Sequence, residues 1–109
     1  MGRAGAPVVE DAFGVLAHPV RRELLQRLGR GEQRASDLAR GLPVSRSATS
    51  QHLRLMLSVG TVTERRDGRE RYYSLQRDGL AAVDQWLARL DEFWAGSLDQ
   101  LGRHLDASR

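Results

Sequence analysis

The chain has 109 residues, 40% of them hydrophobic and 28% charged, which supports one modest core and leaves no room for a barrel enzyme or a doubly wound dinucleotide enzyme. Cysteine is absent, which excludes disulfides, thiolate metal sites and thiol redox sensing. The net charge is +3, all 17 basic residues are arginine, and between residues 18 and 75 twelve arginines stand against six acids.

A basic middle between mildly acidic ends attracts polyanions through its summed field. Arginine in place of lysine favours planar, bidentate contacts with phosphate and guanine. No run of about 18 uncharged apolar residues is present, so no membrane span is expected. No apolar stretch follows Arg3, so the expected location is cytoplasmic.

In chain order, residues 1–8 read as a flexible tail and residues 9–109 as a single domain. Phe13 and Leu16, three apart, mark a short helix. Pro19 suits the first turn of a second helix carrying Val20, Leu24, Leu25 and Leu28, which Gly29 and Gly31 end. Ser36 is expected to cap a short helix with Leu38, Ala39 and Leu42. A turn over residues 41–44 leads to Ser45, the next N-cap. From Arg46 onward, Thr49, Leu53, Met56 and Leu57 line one helix face, and Gly60 closes that helix.

Two extended runs follow, residues 61–66 and 71–75, with Asp67-Gly68 between them as a hairpin signal. Residues 78–105 form the last helix. Its stripe is Leu80, Val83, Leu87, Leu90, Trp94, Leu98, Leu101 and Leu105, widened by Trp86 and Phe93. Gly96 and Gly102 each cost a helix about 1 kcal/mol relative to alanine, so a kink or break near residue 96 is compatible with the sequence.

The fold class is therefore mainly α with a small β-hairpin. A short helix, a glycine-containing turn and a capped polar helix make a helix-turn-helix, and a basic hairpin after it makes the motif winged. The helix begun by Ser45 docks through Thr49, Leu53 and Met56. It presents Arg46, Ser47, Ser50, Gln51 and Arg54 on the other side, where Ser47, Ser50, Gln51 and Arg54 share a face. Short polar side chains and arginine are what read base edges in the major groove. On the ribbon lie Arg65, Arg66, Arg69 and Arg71, interleaved with Glu64, Asp67 and Glu70, either a wing that grips phosphate or a salt-laced edge that resists sheet aggregation. Arg66, Arg69 and Arg71 are placed in the DNA set, with Arg69 nearest the tip. Of Tyr72 and Tyr73, one is expected to pack on the core and the other to offer its hydroxyl to phosphate. Tyr73 is placed in the DNA set, together with Ser45 and His52.

Three stretches carry a family resemblance: residues 18–25 (HPVRRELL), 50–54 (SQHLR) and 68–75 (GRERYYSL). In that order and spacing the chain resembles the bacterial ArsR family of winged-helix repressors, from about Phe13 to the C-terminus. The resemblance implies a homodimer that binds double-stranded DNA and leaves it when an effector arrives, with the N- and C-terminal helices pairing across a two-fold axis. On that reading Phe13, Leu16, Leu80, Val83, Trp86, Leu87, Leu90, Phe93, Trp94, Leu98 and Leu101 form the dimer interface. The effector, if one is used, is not identified by the sequence.

Departures from the family pattern bear on metals. Arg34 and Ser36 stand where the family's sensor cysteines would fall, which removes that thiolate site. The start of the last helix reads Arg77, Asp78, Gly79 and lacks the family's Asp/His pair. His18, His52 and His104 alone do not make a tetrahedral zinc site, so neither a metal nor a cofactor is expected. His18 is expected to cap or pack, and His52 to orient the recognition helix or touch phosphate. The alternative function is a protein–protein module, an adaptor or antitoxin, using the aromatic C-terminal helix. An enzyme is not expected, since paired carboxylates, a Ser/His/Asp arrangement and a phosphate-cradling glycine loop are all missing.

Overall fold

The structure is a computed structural model that describes residues 11–107, with side chains described for residues 11–96. The expected tail over residues 1–8 lies outside the described residues.

Among the described residues, five α-helices and three strands follow one another as α1 (Ala12–Leu16), α2 (Pro19–Leu28), β1 (Gln33–Arg34), α3 (Ala35–Ala39), α4 (Arg46–Val59), β2 (Val62–Asp67), β3 (Glu70–Leu75) and α5 (Ala81–Ala107). A 3₁₀ turn, Arg77–Leu80, leads into α5. Local chemistry sets most of the boundaries. Asp11 caps α1 by accepting from the Gly14 N–H at 3.0 Å. His18 caps α2 through Nδ1, which accepts from the Val20 N–H at 3.2 Å, and Pro19 takes the first turn where no amide donor is needed. Gly60 ends α4 at φ 88°, a left-handed cap that costs glycine nothing.

The core is one cluster of Val15, Val20, Leu24, Leu28, Leu38, Leu53, Met56, Val62 and Tyr73. Every helix up to α4 contributes, and the sheet closes one side. The strand order is β1-β3-β2, all antiparallel.

Several boundaries differ from the sequence reading. The sheet has a third strand, because Gln33 and Arg34 pair with Tyr73 and Tyr72. Ser36 does not cap α3; the cap position is Arg34, without a side-chain hydrogen bond, and Ser36 lies inside the helix. The hairpin turn is one residue later than expected. Asp67 pairs with Glu70, so the two turn residues are Gly68 (φ 62°) and Arg69. Positive φ at the first turn position alone is the pattern of a type II′ turn, which asks for glycine only there. The final helix is preceded by the 3₁₀ turn, and its backbone runs unbroken through Gly96 to residue 107. No helix among the described residues is long and apolar enough to cross a membrane.

Candidate nucleic-acid interface

Helix α4 is held from both ends and from beneath. The Ser45 hydroxyl accepts from the Ala48 N–H at 3.0 Å, and Thr49 Oγ1 donates back to the Ser45 carbonyl at 3.0 Å. Thr49, Leu53 and Met56 are buried and dock the helix. The entry turn is set from α2, where Arg27 donates to the carbonyls of Leu38 at 2.9 Å and Arg40 at 2.7 Å. Those carbonyls lie at the end of α3, where intrahelical donors run out. An arginine in mid-helix reads as a solvated side chain, so no pattern in the sequence marks Arg27 for this role.

With its apolar side docked, α4 turns Arg46, Ser47, Gln51 and Arg54 outward, with Ser50 half-buried between them and Ser45 exposed at the start. Arg46 and Arg54 have no ion pair among the described residues. A row of unengaged donors on a protruding helix is what major-groove readout requires.

His52 points elsewhere. Its Nδ1 accepts from Arg21 Nε at 3.1 Å, and its ring lies 4.4 Å from the His18 ring. It joins α4 to α2 and is not aligned with Gln51 and Arg54. Partial burial, then the neighbouring His18 and Arg21, lower its pKa below 6.5, so at neutral pH it serves as an uncharged acceptor. Arg21 also donates to the Gly14 carbonyl at 3.1 Å, which brings α1 into the same junction.

On the ribbon the arginines are held to different degrees. Arg65 forms a two-pronged pair with Glu32, at 3.1 Å from Nε and 2.7 Å from the terminal nitrogen, and its guanidinium lies 4.5 Å over the Tyr72 ring. That hydrogen bond from Arg65 holds the Glu32 carboxyl below its ordinary pKa and raises that of the arginine. Arg66 and Arg71 stand at 3.9 Å from Glu64. Arg69, at the tip, has no ion pair among the described residues. Tyr73 is a correction to the expected DNA set. It is 2% exposed, packs in the core and donates its hydroxyl to Glu64 at 2.9 Å. Burial, and then this carboxylate, push its pKa up. Tyr72 is the tyrosine nearer the surface. The partners of Glu32 and Glu64 are not marked by local spacing in the sequence.

Between α3, α4 and the ribbon tip lies a groove of about 240 Å³ whose walls include Ser36, Arg46, Ser50, Arg69 and Arg71. Its rim carries three guanidinium groups and one carboxylate, Glu70, so it suits an anionic strand laid across both elements.

A second surface lies on α1 and α5. Phe13, Trp86, Leu87, Phe93 and Trp94 are exposed by 41–66%. Phe13 meets Trp86 edge to face at 6.0 Å, as Phe93 meets Trp94 at 6.2 Å. Leu16, Leu80 and Leu90 are half-buried. Val83, expected at the same interface, is buried within the protomer at 7% exposure. The side chains of Leu98 and Leu101 lie outside the described residues. Among the described residues, no cluster of three or more His, Cys, Asp or Glu could hold a metal ion.

Comparison with known proteins places these surfaces in context. Residues 16–65 match a family described as a helix-turn-helix domain. The HTH-type transcriptional regulator Rv2034 of Mycobacterium tuberculosis is 38% identical over 98 residues, covering 90% of this chain and 89% of that protein. The transcriptional repressor SdpR of Bacillus subtilis is 28% identical over 79 residues, covering 72% and 88%. Among solved structures, a possible transcriptional regulator for arsenical resistance is 50% identical with a TM-score of 0.66, covering 85% of this chain and 94% of that one. An ArsR family transcriptional regulator, RHA00566, is 31% identical with a TM-score of 0.68, covering 76% and 91%.

Proposed function

The chain belongs to the ArsR family of winged helix-turn-helix transcriptional regulators, and from that premise we propose that it represses transcription as a homodimer on a near-palindromic DNA site in the cytoplasm. Two copies of α4 enter successive major grooves about 34 Å apart, one helical turn of DNA. Gln51 and Arg54 read base edges, with Ser47 and Ser50 beside them. Arg46, Arg69, Arg66 and Arg71 hold the flanking phosphates, which fixes register without reading sequence.

The observation that carries the reading is the row Arg46, Ser47, Gln51 and Arg54, outward-facing on a helix whose opposite side is buried. Pairing of the two copies is supported by the aromatic face of α1 and α5. Monomeric soluble proteins rarely leave a contiguous apolar patch of that kind uncovered. The same face is what an adaptor or antitoxin would use, but such a module has no use for unpaired arginines on α4. Bound DNA and bound effector are then alternative states of the dimer.

The experiment is selection of a preferred duplex from a random pool, followed by titration in increasing salt. A repressor of this kind gives a near-palindromic consensus and an affinity that falls steeply with salt. Recovery of no consensus, with salt-insensitive binding, would remove the proposal.

A further inference from the structure

Glu32 sits in the turn between α2 and β1, outside every motif that marks the DNA surface. Its carboxylate takes both prongs of the Arg65 guanidinium, at 3.1 and 2.7 Å, and accepts the Ser74 hydroxyl at 3.3 Å. Arg65 reaches it by crossing the β3 strand over Tyr72, its partner in the register. A planar two-pronged pair fixes direction as well as distance. Both side chains remain largely in solvent, where such a pair adds little to stability. What the pair changes is where one positive charge of the ribbon points. Along the ribbon the restraint is graded: tight at Arg65, loose at Arg66 and Arg71, absent at Arg69. Arg65 lies on β2 three residues before Gly68, the first residue of the turn.

We propose that Glu32 is a positioning residue that limits the affinity of the DNA interface: by holding Arg65 on the body of the protein it keeps one arginine out of the phosphate-binding set. Phosphate contacts raise affinity for every sequence alike and leave the ratio between sequences unchanged. Withholding one weakens binding to all DNA alike and makes it less salt-dependent. The inference rests on the DNA-binding reading above.

The test compares the full chain with Glu32→Gln, Arg65→Gln and the double variant. Each is titrated against a random-sequence duplex and against the selected duplex over a range of salt. Glu32→Gln releases Arg65, so the slope of log affinity against log salt should steepen by about 0.9, and non-specific affinity at low salt should rise several-fold. Affinity for the selected duplex should rise by the same factor, leaving the specific-to-non-specific ratio unchanged. Arg65→Gln should leave the slope at its native value, and the double variant should return to it. An unchanged slope in Glu32→Gln overturns the proposal, as does a shallower slope in Arg65→Gln, which would mean that Arg65 already touches DNA. Thermal unfolding of each variant separates these effects from lost folding, and where Glu32→Gln folds poorly a shallower slope in Arg65→Gln still overturns the proposal. Failure of the native chain to bind either duplex would instead sink the DNA-binding reading itself.

Discussion

Arg21 and His52 meet at 3.1 Å, guanidinium nitrogen to imidazole nitrogen, and so tie α2 to the middle of α4. The contact requires a neutral His52, because a protonated ring would offer a donor where Arg21 already donates. Folding lowers the pKa of His52 below 6.5, through burial first and then His18 and Arg21. As pH falls, the unfolded chain therefore takes up the proton first. Stability from this group is complete above pH 6.5 and is lost as pH drops through 6.5 toward the folded value. Thermal unfolding in neutral and mildly acidic buffer should show a smaller acid loss in His52→Gln than in the native chain. Equal losses would remove His52 from the account.

Gly79 packs directly on the end of α4. A Cβ there would collide with the Gly60 carbonyl and stand 2.9 Å from the Thr61 nitrogen. Those atoms are backbone and cannot rotate aside. Gly79→Ala should destabilise the fold by about 1–3 kcal/mol, the usual cost of overpacking. Denaturant unfolding reads this directly, and a midpoint equal to the native one would show that the 3₁₀ turn is not seated where described.

Arg54, Gln51 and Arg69 should fail in different ways. Arg54→Ala or Gln51→Ala should cost about 1–3 kcal/mol of discrimination at one base position in each half-site. Arg69→Ala should weaken binding to all sequences alike and reduce the salt slope by about 1. Competition titrations with single-base variants of the selected duplex distinguish the two patterns. Uniform weakening by Gln51→Ala would place α4 outside the groove.

Trp94 is 53% exposed in the single protomer. If that face is covered by a second copy, Trp94→Ser should shift sedimentation toward the monomer and lower DNA affinity together. A native chain that sediments as a monomer, or a Trp94→Ser variant that remains dimeric with native affinity, counts against the pairing.

Much of this architecture is legible in the residues. Ser45, Thr49, Leu53, Met56 and Gly60 place α4 by capping and period alone, and the structure puts its cap and its buried face where those residues indicate. Strand β1 is not legible, since two residues hold no periodicity and Gln33 finds Tyr73 forty positions on. The turn register failed for a related reason. Asp-Gly favours a turn with both residues at positive φ, but cross-strand pairing of Asp67 with Glu70 moved the turn to Gly68-Arg69. Tyr73 was in principle readable, because it lies two residues before the half-buried Leu75 and so shares its side of the strand. Arg27, Glu32 and Glu64 were not, as each acts on a partner distant in sequence or across a strand pair.

Hydroxyl-radical footprinting of the intact chain on its selected duplex tests the central claim most directly. Two protected segments related by a dyad, with centres one turn of DNA apart and protection lost on Arg69→Ala near the flanking phosphates, is the predicted result. A single protected segment, or none, would contradict a symmetric pair of α4 helices reading the major groove.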